Sequence, residues 1–341
     1  MSDVSNKGLL LVNLGSPDST SDKDVQKYLN EFLMDSRVID YPSIFRFLLM
    51  RCLVVPLRAP KSAQAYRKIW SEEGSPLIVE TERLMQAVKA YLKVPVSMAM
   101  RYRHPRTSLA FEQLLQQNSH LKEVLVLPLY PHYTMSSYDT AVEHVKSVYA
   151  KGNYPFSLKF LSPFYRHPKY IATLAESIKP YLQEEFDTLL FSYHGVPERH
   201  MVKDRKRISK GPIVDYDLPL VDYQQECIET TKLVANALGL SMDKVQTSFQ
   251  SRLTSAGTEW IKPYTVLRLA ELPAEGTKKL LVVCPSFIND CLETLEQIAL
   301  SGKETFIAAG GDSLTYIPCI NSHPKFVELV AEWFHEGDNK H

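Results

Sequence analysis

Charge of one sign is what this chain most plainly lacks: 39 Lys and Arg stand against 39 Asp and Glu. Without a basic surplus, nucleic acid is not expected as a partner. No apolar run reaches the ~18 to 20 residues a membrane span needs. The nearest approach, Ile44 to Leu57, is broken by Arg46 and Arg51. The five cysteines, Cys52, Cys227, Cys284, Cys291 and Cys319, include no CxxC pair. Neither a zinc site nor a disulfide framework is indicated, and reduced thiols in a cytoplasmic protein are expected. There is no GxGxxG, GxxxxGK, HExxH or GxSxG, so the usual dinucleotide, nucleotide and hydrolase readings lack their parts. The polar start, Met1 to Lys7, shows no apolar stretch of the kind a secretory peptide carries.

What is present is an alternation. Short apolar runs predict strands near Gly8–Asn13, Val94–Met100, Glu123–Leu129 and Leu158–Leu161. Further runs lie at Thr188–Tyr193, Val245–Gln250, Leu280–Cys284 and Thr305–Ala308. Such near-continuous runs suit parallel strands covered on both faces. Amphipathic stretches such as Leu77–Leu92 and Tyr223–Leu238 lie between them, which argues for βα units. Four runs in each half predict two open α/β domains, each a four-stranded parallel sheet flanked by helices. The expected division is 1–162, 163–324, and a C-terminal helix and tail over 325–341, with the boundary in the turn-rich stretch 162–168.

Ligands of open α/β sheets sit beyond the carboxyl ends of the strands. Those positions carry Leu14-Gly15-Ser16, Arg101-Tyr102-Arg103-His104, Tyr130-Pro131-His132-Tyr133, Tyr193-His194-Gly195, Ser251-Arg252 and Pro285-Ser286-Phe287. His194, at a sharp strand exit, suits a general base or a metal ligand, or else a hydrogen-bonded residue holding the turn. Asp290, Glu293 and Glu296 are spaced by three, so on one helix they share a face. That acidic row could relay protons or pass a hard cation such as Fe²⁺, or simply complement a helix dipole. Arg101, Tyr102, Tyr130, Tyr133, Tyr193 and Trp260 could line a pocket for a flat ring, or be core.

Nine stretches then carry a resemblance. LLVNLGSP near 10–17, IWSEEGSPL at 69–77, MRYRHP at 100–105, LPLYPHY at 127–133, FSYHGVPERH at 191–200, YQQECIETT at 223–231, SFQSRLTSAGTEWIKPYT at 248–265, CPSFINDCLETLEQ at 284–297 and GGDSLTYIPCINSHP at 310–324 stand in the order seen in ferrochelatases. The chain resembles that family from Leu10 to about Pro324. The resemblance implies two Rossmann-like, chelatase-type domains with a cleft between them, where a porphyrin is bent and a divalent metal inserted. It implies a lyase of haem biosynthesis that releases two protons as Fe²⁺ enters protoporphyrin IX. His194 matches the family's catalytic histidine and Glu293 its catalytic glutamate, with Asp290 on the acidic path. His194 and Glu293 are also the expected contacts of the metal, and which is base and which ligand stays open. Leu14, Arg101, Tyr102, Tyr130 and Trp260 match positions that line the porphyrin pocket.

Some positions depart from relatives. Cys291 stands where some carry histidine, so it is a soft ligand or, more simply, a packed thiol. Met135 stands where cluster-bearing relatives have a cysteine, so no [2Fe–2S] cluster and no other resident cofactor is expected. Leu14 cannot offer an axial oxygen, which favours protoporphyrin over coproporphyrin III. The basic stretch Met201–Leu220 reads as a solvated loop or short helix, or a contact for propionates or anionic lipid. Ile44–Leu57 reads either as a peripheral membrane contact at the inner face of a membrane or as a buried helix. The competing readings are a coproporphyrin III ferrochelatase, a chelatase for another metal, and a non-catalytic tetrapyrrole or metal carrier of the same fold. The carrier would need neither His194 nor Glu293. Oligomeric state is not legible.

Overall fold

A computed structural model describes residues 6–208, 221–252 and 259–336. Eight strands form two separate parallel sheets. β1 (Lys7–Gly15), β2 (Val96–Tyr102), β3 (Glu123–Pro128) and β4 (Ser157–Phe160) pair in the order β2-β1-β3-β4. β5 (Thr188–His194), β6 (Val245–Gln250), β7 (Lys279–Val283) and β8 (Ser313–Tyr316) pair in the order β6-β5-β7-β8. The chain groups into two compact units. One holds residues 6–130, 134–161 and 327–336; the other holds 131–133 and 162–326.

Each sheet is buried on both faces. Leu9 to Val12 of β1 and Leu189 to Phe191 of β5 have no exposed surface, which explains why their sequences run apolar without alternation. Within the first unit, Leu10 lies between Ser97 and Val126 in register. Within the second, Leu190 lies between Gln246 and Val282. Helices Pro76–Leu92 and Tyr223–Ala237 stand where amphipathic periodicity predicts them.

One strand lies elsewhere than expected. Thr305–Ala308 belongs to the helix Ser301–Ala308, and the eighth strand is Ser313–Tyr316. The β-branched and aromatic run looked like a strand, yet Phe306 buries its ring from the helix. Two glycines then stop it. Gly310 takes φ +98°, and a Cβ on Gly311 would lie 2.1 Å from the Phe306 ring. The chain can turn under that ring into β8 only because no side chain is there.

In both sheets the second-numbered neighbour pairs on one side of the first strand and the third on the other. Strand order therefore reverses between β1 and β3, and again between β5 and β7. The crevice at such a reversal, outside the carboxyl ends, is where open α/β sheets take ligands.

Candidate active site

His194 ends β5, the strand on one side of the reversal in the second unit. Its backbone is held twice: its N–H donates to Ser286 Oγ at 3.0 Å, and its carbonyl accepts from Tyr223 OH at 2.7 Å. Its ring Nδ1 lies 2.7 Å from the carbonyl oxygen of Gly195. A carbonyl can only accept, so Nδ1 carries a proton, and in the neutral ring Nε2 is the nitrogen with the lone pair. Phe287 meets the ring edge-on at 6.2 Å between centroids. Gly195 is required here: a Cβ on it would stand 2.8 Å from the Gln250 carbonyl and 3.4 Å from the Trp260 ring. Trp260 therefore packs beside the histidine turn, joined to it through the Pro197–Trp260 bridge. Its buried indole N–H has no acceptor among the described residues.

Glu293 follows β7, on the other side of the same reversal, in the short helix Leu292–Thr294. Cys291 caps that helix and is buried. Burial, and then the neighbouring Glu293 charge, push its thiol well above the ordinary range. It is thus a protonated packed group, not a ready thiolate.

Asp290 does not share a helix face with Glu293, contrary to the spacing argument. It precedes the cap, and its carboxylate is already engaged. Oδ1 accepts from Tyr316 OH at 2.5 Å, and Oδ2 accepts from Asn321 Nδ2 at 2.7 Å. The Cys319 N–H and Thr294 Oγ1 each approach Oδ1 at 3.3 Å. A spacing of three reads as one face only inside a helix, and the Cys291 cap starts this one too late. Glu296 lies three residues after Glu293, in a widened π turn, and accepts from Ser301 Oγ at 2.8 Å. Among the described residues no group of three or more His, Cys, Asp or Glu side chains is placed to hold a metal ion.

The first unit presents the other expected residues at its own carboxyl edge. Leu14 and Gly15 close β1, Arg101 and Tyr102 close β2, and Tyr130 follows β3. Arg101 pairs with Asp35, donates from Nε to Thr140 Oγ1 at 2.8 Å, and stacks 4.3 Å over the Tyr102 ring. Tyr102 is only 1% exposed and its hydroxyl donates to Asp35 at 3.0 Å. It supports Arg101 from inside the core. Burial works against ionising Asp35, but bonds from Thr140, the Arg37 N–H, Arg101 and Tyr102 outweigh it and hold its carboxyl below the usual value. The Tyr130 hydroxyl is buried, has no partner among the described residues and feels the Arg101 charge. Leu14 is half-buried against the core.

Sequence reasoning missed Asp35, Thr140, Tyr223 and Gln250, and named Ser286 only as a strand-exit residue; all five act by holding others. The one visible signal was the place of Gln250 and Ser286 at strand ends.

A family profile described as Ferrochelatase matches residues 6–337. The chain belongs to the ferrochelatase family. A ferrochelatase of Pseudomonas entomophila (strain L48) is 45% identical over 336 residues, covering 96% of this chain and 98% of that one. A ferrochelatase of Opitutus terrae is 42% identical over 335 residues, covering 96% of each. Among solved structures, SirB from Bacillus subtilis with Fe³⁺ superposes with a TM-score of 0.55 at 12% identity, covering 98% of both chains. At that identity the likeness to this ferrochelatase is one of fold.

Proposed function

We propose that His194 accepts a pyrrole proton, and that Glu293 works beside it, in the reaction this ferrochelatase performs: insertion of Fe²⁺ into protoporphyrin IX to give protohaem and two protons. The observation that carries the reading is the commitment of Nδ1 to the Gly195 carbonyl. In the neutral ring it leaves the lone pair on Nε2, on a backbone pinned at both its N–H and its carbonyl. That is the form a proton acceptor must have before the reaction begins. A porphyrin gives up two inner protons as the metal enters, and a bent macrocycle exposes them; binding contacts elsewhere on the ring can supply that strain. Glu293, on the neighbouring strand's exit, is the second proton acceptor or the first contact of the incoming ion. Asp290, with both oxygens bonded to its neighbours, shapes the start of the Glu293 helix in this reading.

In the first unit, Arg101 and the buried Tyr130 hydroxyl are the polar contacts proposed for the ring's substituents, and Leu14 an apolar one. Trp260 does the same in the second unit. No resident cofactor enters the scheme, iron being a substrate.

The stretch Ser43–Ile69 supports a peripheral lipid contact. It is continuous helix with a π segment at Phe47–Val54. It is not the buried helix of the alternative reading: Ile44, Leu48 and Leu57 are 77%, 57% and 67% exposed. Arg46 is turned inward, donating to the Ile39 and Tyr41 carbonyls at 3.1 Å each, so it does not interrupt the apolar surface. No described helix is long and apolar enough to cross a membrane. Lipid lying against this face, where an apolar porphyrin could enter, is the occupant proposed. The expected basic stretch is helical from Glu198 to Ile208, and residues 209–220 lie outside the described chain.

Anaerobic incubation with Fe²⁺ or Zn²⁺ and protoporphyrin, followed by absorbance, tests the chemistry. His194→Ala and Glu293→Gln are each expected to lose at least ~100-fold in turnover. Ordinary turnover in both would remove the roles given to them.

A further inference from the structure

Gln250 ends β6, is 4% exposed, and reaches both sides of the candidate pair. Its Cα is the register partner of His194, and its carbonyl accepts the Gly195 N–H at 2.8 Å. Its Oε1 accepts from Ser192 Oγ at 2.5 Å, two residues before His194 on β5. The Cys284 thiol stands 3.7 Å from the same oxygen. Its Nε2 donates to the backbone carbonyl of Glu293 at 2.9 Å.

The orientation of that amide is not arbitrary. The Glu293 carbonyl can only accept, so it must face the NH₂ end, and the oxygen must face Ser192. Ser192 in turn lies 2.9 Å from Thr265 Oγ1, which lies 2.8 Å from Ser248 Oγ. With the Ser192 proton given to Gln250, Thr265 donates to Ser192 and Ser248 donates to Thr265. The buried chain of hydroxyls is thereby satisfied in one direction only. An unmade bond in such a buried place is costly, so the arrangement resists rotation of the amide.

The carbonyl it seizes is a particular one. Glu293 lies in a three-residue α segment that widens into a π turn at Leu295. A peptide at such a junction stands where the hydrogen-bond spacing changes from the α to the π pattern. We propose that Gln250 is a positioning residue that sets the Glu293 peptide, and hence the direction of its carboxylate, relative to His194. The inference rests on the reading of His194 and Glu293 as the reacting pair. A misplacement of ~1 Å in such a pair is enough to cost ~100-fold in rate.

Gln250→Leu removes both ends of the bridge. Gln250→Glu keeps the shape and the acceptor for Ser192, and as a carboxylate loses the donor toward Glu293. Both are expected to lower kcat by roughly 10- to 100-fold with the porphyrin KM within about twofold of the parent, and with circular dichroism unchanged. Should Gln250→Leu fail to fold, Ser192→Ala frees the other end of the amide and is expected to give the same pattern more weakly. A parent-like kcat in the folded variants, or a loss seen in KM instead, overturns the inference. His194→Ala and Glu293→Gln, assayed alongside, separate the two ideas. If those two lose turnover while the Gln250 variants keep it, positioning alone fails. If those two keep turnover, the reacting pair itself is wrong, and Gln250 has nothing to position.

Discussion

A single residue in this protein acts through what its unreactive atoms are doing. His194 offers one nitrogen because its other nitrogen is spent on Gly195, so His194→Asn, which has an amide but no titratable ring, is expected to fold and to lose turnover as His194→Ala does. Metalloporphyrin formation and circular dichroism check it together. Asp35 shows the same logic in the first unit. Its carboxyl is held below the ordinary value, so the stability it contributes is fully present above the unfolded pKa of ~3.9 and is lost as pH falls through the lower folded one. Asp35→Asn leaves the Arg101 guanidinium poorly compensated and is expected to cost about 3 kcal/mol at neutral pH. Its melting temperature should also fall less steeply than the parent's below pH 4. His194 and Glu293 were legible because their motifs carry them. Asp35, Tyr223 and Gln250 were not, because a residue that holds another is marked only by a contact between distant stretches of chain. The support that Tyr102 gives Arg101 through Asp35 was hidden for a related reason: it runs through a residue more than sixty positions away.

At the scale of the element, what mattered was where each strand or helix stops. Seven of the eight strands stand within a residue or two of where continuous apolar runs put them, since burial on both faces leaves a plain signature. The eighth was displaced because Thr305 to Ala308 has strand-like residues on a helix, and only the packing of Phe306 against Gly311 decides between the two. The apparent acidic row failed similarly: a cap at Cys291 starts the helix after Asp290. Strand exits also impose a testable demand. Gly15 holds φ +109°, and a Cβ there would stand 2.0 Å from the Tyr102 carbonyl oxygen. Gly15→Ala is expected to destabilise the protein by about 3 kcal/mol, read from its denaturant midpoint. The exposed helix Ser43–Ile69 makes a separate demand. Leu48→Glu with Leu57→Glu should abolish sedimentation with anionic liposomes while turnover in detergent stays near the parent's. A parent protein that is active yet never sediments would remove the lipid proposal.

Across the whole molecule, two sheets share one strand order, β2-β1-β3-β4 and β6-β5-β7-β8, although no repeat is visible in the residues. Topology can be duplicated where side chains have diverged, because the backbone needs only buried apolar runs and turns. The two compact units are not simple halves of the chain. His132 and Tyr133 belong to the second: the His132 ring bonds Thr230 at 2.9 Å, and the Tyr133 N–H donates to Glu226 at 2.8 Å. Burial pushes that imidazole down to about 3, so it stays neutral. A fragment of residues 162–326 therefore holds a whole sheet but lacks both partners. It is expected to unfold at a lower denaturant concentration than the same unit in the full chain, by near-ultraviolet circular dichroism. The cysteines divide on the same global scale. Cys227, Cys284, Cys291 and Cys319 are buried, while Cys52 stands exposed on the apolar helix. Peroxide generated by stray ferrous iron would meet that thiol before any other, so oxidative damage would begin on the outer helix and leave the interior chemistry intact.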